Sequence, residues 1–262
     1  MNDRLSSEQP AGAVASKVPQ VTLMFWVIKI LATTVGETGG DALSMTLQLG
    51  YAVSSLIFLA FFAGTLAAQV QSKRYHAFAY WAVVVATTTV GTTMSDYLDR
   101  TLGLGYMKSS LMLFGGVLVV LFIWQRVTKQ IKFENITTRT DEVFYWLTIL
   151  VSNTLGTALG DFTASTTGLG FERGALVFAG LIVLVAAAYF WIKRVPPSFL
   201  FWSAYVLTRP LGATLGDTLT KSHAEGGLAL GRITSSLAIA AVMVVGIIWM
   251  SRERRCPMEQ DQ

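Results

Sequence analysis

Seven ionisable residues lie inside long apolar stretches of this chain: Lys29, Glu37, Asp41, Asp96, Asp161, Arg209 and Asp217. Charged groups in such surroundings are costly and mark functional sites by default. The aspartates recur in register. The pattern W-x9-G-x4-D occurs four times, as Trp26, Gly36, Asp41; Trp81, Gly91, Asp96; Trp146, Gly156, Asp161; and Trp202, Gly212, Asp217. At about 100° per residue, the position seven before each aspartate falls nearly on its face. That position holds Thr34, Thr89, Thr154 and, in the fourth copy, Pro210. Were these faces to converge, carboxylates and hydroxyls would form an oxygen-rich cluster, and oxygen ligands select hard cations such as magnesium, calcium or manganese. Two bases against five acids leave the segments with about three negative charges, which suits a cation or protons and disfavours an anion. Asp41, Asp96, Asp161 and Asp217 are therefore the candidate metal ligands, with Glu37, Thr34, Thr89, Thr154 and Arg209 as further candidate binding residues.

Plainer roles compete with these. An aspartate after glycine at a helix end commonly accepts backbone hydrogen bonds in a turn. Glycines at Gly36, Gly91, Gly156 and Gly212 suit close helix packing, and the four tryptophans suit an aromatic belt at a membrane interface. The departures from the repeat carry more information. Lys29 aligns with Val84, Ile149 and Tyr205, and Glu37 with Thr92, Thr157 and Ala213, so both charges are peculiar to copy one. Snorkelling to the headgroups is the simplest role for Lys29. Arg209, peculiar to copy four, sits beside the helix-disrupting Pro210. It is either a salt-bridge partner of Asp217 or Glu37, or a gate for a substrate or coupling ion.

The elements that must position these residues are apolar helices. Of the 262 residues, 53% are hydrophobic and only 14% charged, against about 25% charged in ordinary soluble domains. Each copy contributes a first apolar segment (roughly 21–41, 77–96, 143–161 and 199–217) and a second (roughly 51–70, 107–125, 173–192 and 232–250), near the length of about 20 residues that spans a bilayer core. The expected fold is an all-α integral membrane protein of eight transmembrane helices, built from four parallel two-helix repeats and pseudo-symmetric about the membrane normal. Nine residues after the first three aspartates a second Leu-Gly ends at Gly50, Gly105 and Gly170; copy four reaches it at Gly231, after a five-residue insertion that includes Lys221 and His223.

The organisation reads as an N-terminal tail (1–19), repeats one and two (20–125), a polar linker (126–142), repeats three and four (143–250) and a C-terminal tail (251–262). The linker divides the chain into two halves of four helices, as in a pseudo-dimer. Thirteen lysines and arginines fall on the side of the tails and inter-repeat connections and five on the side of the intra-repeat turns, so tails and linker are expected in the cytoplasm. No removable signal peptide is read at the N-terminus.

Several functions are excluded or unsupported. One cysteine, Cys256, allows neither a disulfide framework nor a thiolate metal site. His76 and His223 fall on opposite sides, so they form no chelating pair. Basic residues are scattered, which argues against nucleic acid. There is no phosphate-binding glycine loop and no G-x-S-x-G, and no cofactor is expected.

The fourfold pattern, with its tryptophan and Gly-Asp in each copy, resembles a family of bacterial membrane proteins defined by a tandem repeat of unknown function, whose members are described as uncharacterised membrane-anchored proteins. The resemblance covers about residues 20–250 and implies a bacterial inner-membrane, multi-pass protein without supplying an activity. Gly-Asp becomes Ser95-Asp96 in copy two. The leading expectation is a secondary transporter or exporter of a small cation, manganese within the hard-ion class, or protons, and not an enzyme. A non-transporting scaffold that binds a partner through small-residue helix faces is the alternative, with a homo-oligomer compatible with either. An intramembrane aspartyl enzyme ranks third.

Overall fold

The computed structural model describes residues 19, 21–72, 75–131, 136, 138–192 and 194–253. Most of both tails, and Lys73, Arg74, Lys132 and Lys193 of the connections, lie outside the described residues. The fold is all-helical among those described. Its long helices are α1 (Leu23–Asp41), α2 (Gly50–Gln71), α3 (Ala77–Asp96), α4 (Tyr106–Thr128), α5 (Arg139–Asp161), α6 (Gly170–Trp191), α7 (Pro197–Thr220) and α8 (Arg232–Glu253).

Local sequence explains the boundaries. Thr22 caps α1 by accepting from the Phe25 amide at 3.3 Å, Thr138 caps α5 by accepting from Asp141 at 3.1 Å, and Pro197 opens α7, where its missing N–H is no loss. After Asp41, Asp96 and Asp161 the chain makes one wider, π-helical turn (Ala42–Thr46, Tyr97–Thr101, Phe162–Thr166) before leaving the helix. The glycine of the second Leu-Gly then takes a left-handed backbone, φ 74° at Gly50, 73° at Gly105 and 76° at Gly170, a conformation side chains resist. Copy four differs because α7 runs on to Thr220 and a 3₁₀ turn, His223–Glu225, occupies its inserted residues.

The first helices of the four repeats form a closed ring in the order α1, α3, α5, α7 and back to α1. The second helices form a sheath, each packed mainly on the first helix of the next repeat: α2 on α3, α4 on α5, α6 on α7, and α8 on α1. Contact between the two helices of one repeat is slight. The repeats therefore interlock, and the last closes onto the first. The seam between α3 and α5, where the long linker falls, is packed like the other three, so the two-halves division expected from the linker is not a break in the ring.

The ring helices turn polar residues inward while the sheath turns apolar residues outward. Leu56, Leu111, Leu176 and Leu237, at equivalent places in the four repeats, are 66 to 68% exposed. An apolar surface of that extent marks a membrane-facing exterior. Among the described residues six helices (α2 to α6 and α8) are long and apolar enough to cross a bilayer. The remaining two, α1 and α7, carry Lys29, Glu37 and Asp41, and Arg209 and Asp217, respectively. Apolar helices of this number indicate a multi-pass membrane protein.

Candidate functional site

Along α1, Phe25, Lys29, Thr33, Glu37 and Asp41 follow one another at four-residue intervals and all are buried. A step of four residues rises about 6 Å, so the ring is stacked in layers, with aromatic side chains at one end and the repeated aspartates at the other.

The glycines let the ring close. A Cβ on Gly36 would meet Thr88, on Gly91 Asn153, on Gly156 Arg209, and on Gly212 Thr33. Each contact is between the repeated glycine and the residue eight before the next repeat's aspartate. Gly40, Gly160 and Gly216 meet Thr92, Ala213 and Glu37 in the same cyclic way. Close approach permits hydrogen bonds between helices: Thr33 donates to the Thr208 carbonyl at 3.1 Å, Thr88 to Ala32 at 3.2 Å and Thr92 to Gly36 at 3.1 Å. Packing is thus the role of the motif glycines. The serine that replaces glycine in copy two, Ser95, donates to Asp99 at 3.2 Å, and Asp99 also accepts from Ser109.

All four aspartates are buried at equivalent positions of the ring helices, and two of the four gaps between them are each bridged by a base. Arg100 reaches Asp96 at 2.9 Å and Asp161 at 3.8 Å. Lys221 reaches Asp217 at 3.1 Å and Asp41 at 3.3 Å. Each base stands four residues after its own aspartate and clips it to the next repeat's: α3 to α5, and α7 to α1. Copies one and three have Met45 and Ser165 at that position. Arg232 adds a contact to Asp41 at 3.5 Å. The loop carrying Lys221 is tied down by Ala229 donating to the Lys221 carbonyl at 2.9 Å and by Glu225, which accepts from the Ser222 hydroxyl at 2.6 Å. These hydrogen bonds from Ser222 hold the Glu225 carboxyl below the usual glutamate range.

One turn inward, Arg209 and Glu37 pair at 2.9 Å, both buried. The same Arg209 nitrogen, Nη2, also donates to Thr92 at 2.6 Å and Thr157 at 2.5 Å. Glu37, Thr92 and Thr157 hold one repeat position on three helices, so a single guanidinium from the fourth joins the whole ring. A salt bridge is therefore what Arg209 makes, and Glu37, not Asp217, is its partner. Nε and Nη1 of Arg209 have no hydrogen-bond partner among the described residues.

Lys29 does not snorkel: it is fully buried, its Nζ has no hydrogen-bond partner among the described residues, and it lies 4.3 Å above the Tyr205 ring. Nor do the tryptophans form an outward belt as a set. Trp81 and Trp146 are buried, packing with Phe25, Tyr80 and Tyr145 into an aromatic plug in which the Tyr80 and Tyr145 hydroxyls lie 2.9 Å apart.

Of the residues expected at a cation site, Glu37, Asp41 and Asp217 come together, each offering a carboxylate oxygen within 4.8 Å of the others. Asp96 and Asp161 stand apart from that trio, held by Arg100. The Thr34, Thr89 and Thr154 hydroxyls turn back onto their own helices, donating to Ile30 at 2.9 Å, Ala86 at 2.9 Å and Leu150 at 3.0 Å. None of the three hydrogen-bonds an aspartate among the described residues. Sequence reasoning missed Arg100, Lys221 and Arg232, which it counted as turn charges. The spacing of four between Asp96 and Arg100 and between Asp217 and Lys221 was the available signal.

The aspartate layer accordingly sets four carboxylates against three bases; with Glu37, Lys29 and Arg209 included, the interior holds five acids and five bases, so the excess of three negative charges read from the spans alone disappears. Asp41 Oδ1, within the aspartate layer, is buried and without a hydrogen-bond partner among the described residues. No curated protein and no solved structure matches the chain. A family model described as a Repeat of Unknown Function (DUF347) matches four times, over residues 24–75, 79–130, 144–195 and 200–255. These are the four units whose helices build the ring and its sheath, and the chain belongs to that family.

Proposed function

We propose that the protein is a secondary transporter or exporter of a small hard cation, manganese within that class, with Glu37, Asp41 and Asp217 as its ion ligands. The observation that carries this reading is the convergence of three buried carboxylates, Asp41 and Asp217 from the aspartate layer and Glu37 from one turn inward, each with an oxygen within 4.8 Å of the others. Calcium and magnesium ligands lie about 2.1–2.6 Å from the ion, so oxygens across it stand roughly 4–5 Å apart. The trio has that spread. To take both Asp41 and Asp217 an ion displaces Lys221, which makes this lysine a built-in competitor. In this reading all eight helices cross a bacterial inner membrane, with both termini on the cytoplasmic side, and the protein carries its ion without catalysing a reaction.

The competing reading, a membrane scaffold, draws support from Arg100 and Lys221, each of which ties two ring helices as a structural clamp would. Calorimetry on the detergent-purified protein with magnesium, calcium, manganese and zinc separates the two. Transport predicts binding that disappears in Asp41→Asn/Asp217→Asn and persists in Asp96→Asn/Asp161→Asn. Absence of binding in folded wild-type protein would favour the scaffold.

A further inference from the structure

The ring interior between the aspartates and the aromatic plug has the opposite imbalance. It holds Arg209, Lys29 and one carboxylate, Glu37, which Arg209 occupies through a single nitrogen. An ammonium buried without a counter-charge costs several kcal/mol, yet Lys29 is fully buried with no hydrogen-bond partner for Nζ among the described residues. The group against its amine among the described residues is the neutral Tyr205 ring, 4.3 Å away. Tyr80 from α3, Tyr145 from α5 and Tyr205 from α7 are neutral phenols, and α8 brings Met243 and Ile247 to the same apolar core. Arg209 stands on α7 one turn from Tyr205, whose ring lies 4.3 Å from the Lys29 amine, and beside Thr208, whose carbonyl accepts from Thr33, one turn from Lys29; its charge adds to that of Lys29 and does not offset it. Glu37 is two turns along α1, about 12 Å away by helical rise, and is already paired.

Two of the three Arg209 guanidinium nitrogens and the Lys29 amine are thus donors with nothing to donate to. Both residues are peculiar to one repeat copy, so the repeat's own packing does not call for them. We propose that Lys29 and Arg209 form an internal site for one small monovalent anion of halide size. One such anion neutralises the local excess of a protonated Lys29 and supplies an acceptor for the orphaned donors. Complete burial of Lys29, Arg209 and Tyr205 sets the size limit, since a larger organic anion would need the ring to open. The cation site does not underlie this inference: the two share only Glu37, the partner of Arg209, and none of the aspartates takes part.

The test compares chloride with gluconate, which is too large for the site, in detergent-purified full-length protein. Wild type should show a saturable rise in unfolding temperature with chloride and a broadened chloride-35 resonance. Lys29→Met should lose both, while in gluconate it unfolds at or above the wild-type temperature because the unpaired amine is gone. Lys29→Arg should retain the chloride response, and so should Asp41→Asn/Asp217→Asn, which separates this site from the proposed cation site. A folded wild type indifferent to chloride would mean that Lys29 is a neutral amine and would overturn the site. An unchanged chloride response in Lys29→Met would place the anion elsewhere and overturn it equally.

Discussion

Glu37 and Arg209 are each the exception in their own repeat position, and each accounts for the other. Threonine serves at the Glu37 position in copies two and three, where its hydroxyl accepts from the guanidinium, so one acid and one base in four repeats suffice. Removing one member of a buried pair strands the other, at about 3–5 kcal/mol, whereas removing both is often close to neutral. Glu37→Gln and Arg209→Met should therefore each lower stability by that order in denaturation of the detergent-solubilised protein, and the double variant should recover most of the loss. Additive losses would show that the two residues act separately. The pair was legible in sequence because both charges interrupt a repeat, and Arg209 had Glu37 among its two named partners. The inward position of Lys29 was not, since a lysine a few residues into an apolar segment has the same local pattern whether it snorkels or is buried.

At the scale of elements, the ring depends on missing side chains. A Cβ at Gly156 would lie 2.5 Å from Arg209 Cγ and 2.6 Å from its Cβ, whereas one at Gly115, on the outward helix α4, would meet nothing within 4 Å. Overpacking of this kind costs about 1–3 kcal/mol, while glycine to alanine in an open helix gains about 0.5–1 kcal/mol. Gly156→Ala should thus destabilise and also disturb the hydrogen bonds of Arg209, and Gly115→Ala should be neutral or stabilising; thermal unfolding monitored by circular dichroism reads both. Equal effects would deny the close approach its role. The repeat period revealed which glycines matter, because W-x9-G-x4-D places them in register. It did not reveal the π-helical turns after the first three aspartates, for which the W-x9-G-x4-D spacing carries no signal. Counting seven back from an aspartate selected Thr34, Thr89 and Thr154. In closely packed parallel helices the inward face instead steps by four, to Glu37, Thr92 and Thr157, and then to Thr33, Thr88, Asn153 and Arg209.

The whole molecule divides its labour between a polar ring and an apolar sheath, and that division governs how it enters a membrane. An arginine, lysine or aspartate near the centre of a lone spanning helix costs about 2.5–3.5 kcal/mol. The helix α7 carries Arg209 and Asp217 together with Pro210, whereas α2 has no charged residue between Gly50 and Gln71. Asp217 has Lys221 at the end of its own helix, whereas Arg209 finds its counter-charge, Glu37, only on α1, so much of the penalty falls on the isolated segment and is relieved by assembly. In a glycosylation-reporter assay with microsomes, α2 alone should insert efficiently and α7 alone poorly, and Arg209→Leu/Asp217→Leu should restore insertion of the isolated α7. Within the full chain α7 should span without that rescue, because α1 and α5 precede it and supply its partners. Efficient insertion of unaltered α7 on its own would mean that the interior charges impose no such dependence. Failure of α7 to span within the full chain would remove the ring from the membrane, and the cation reading with it.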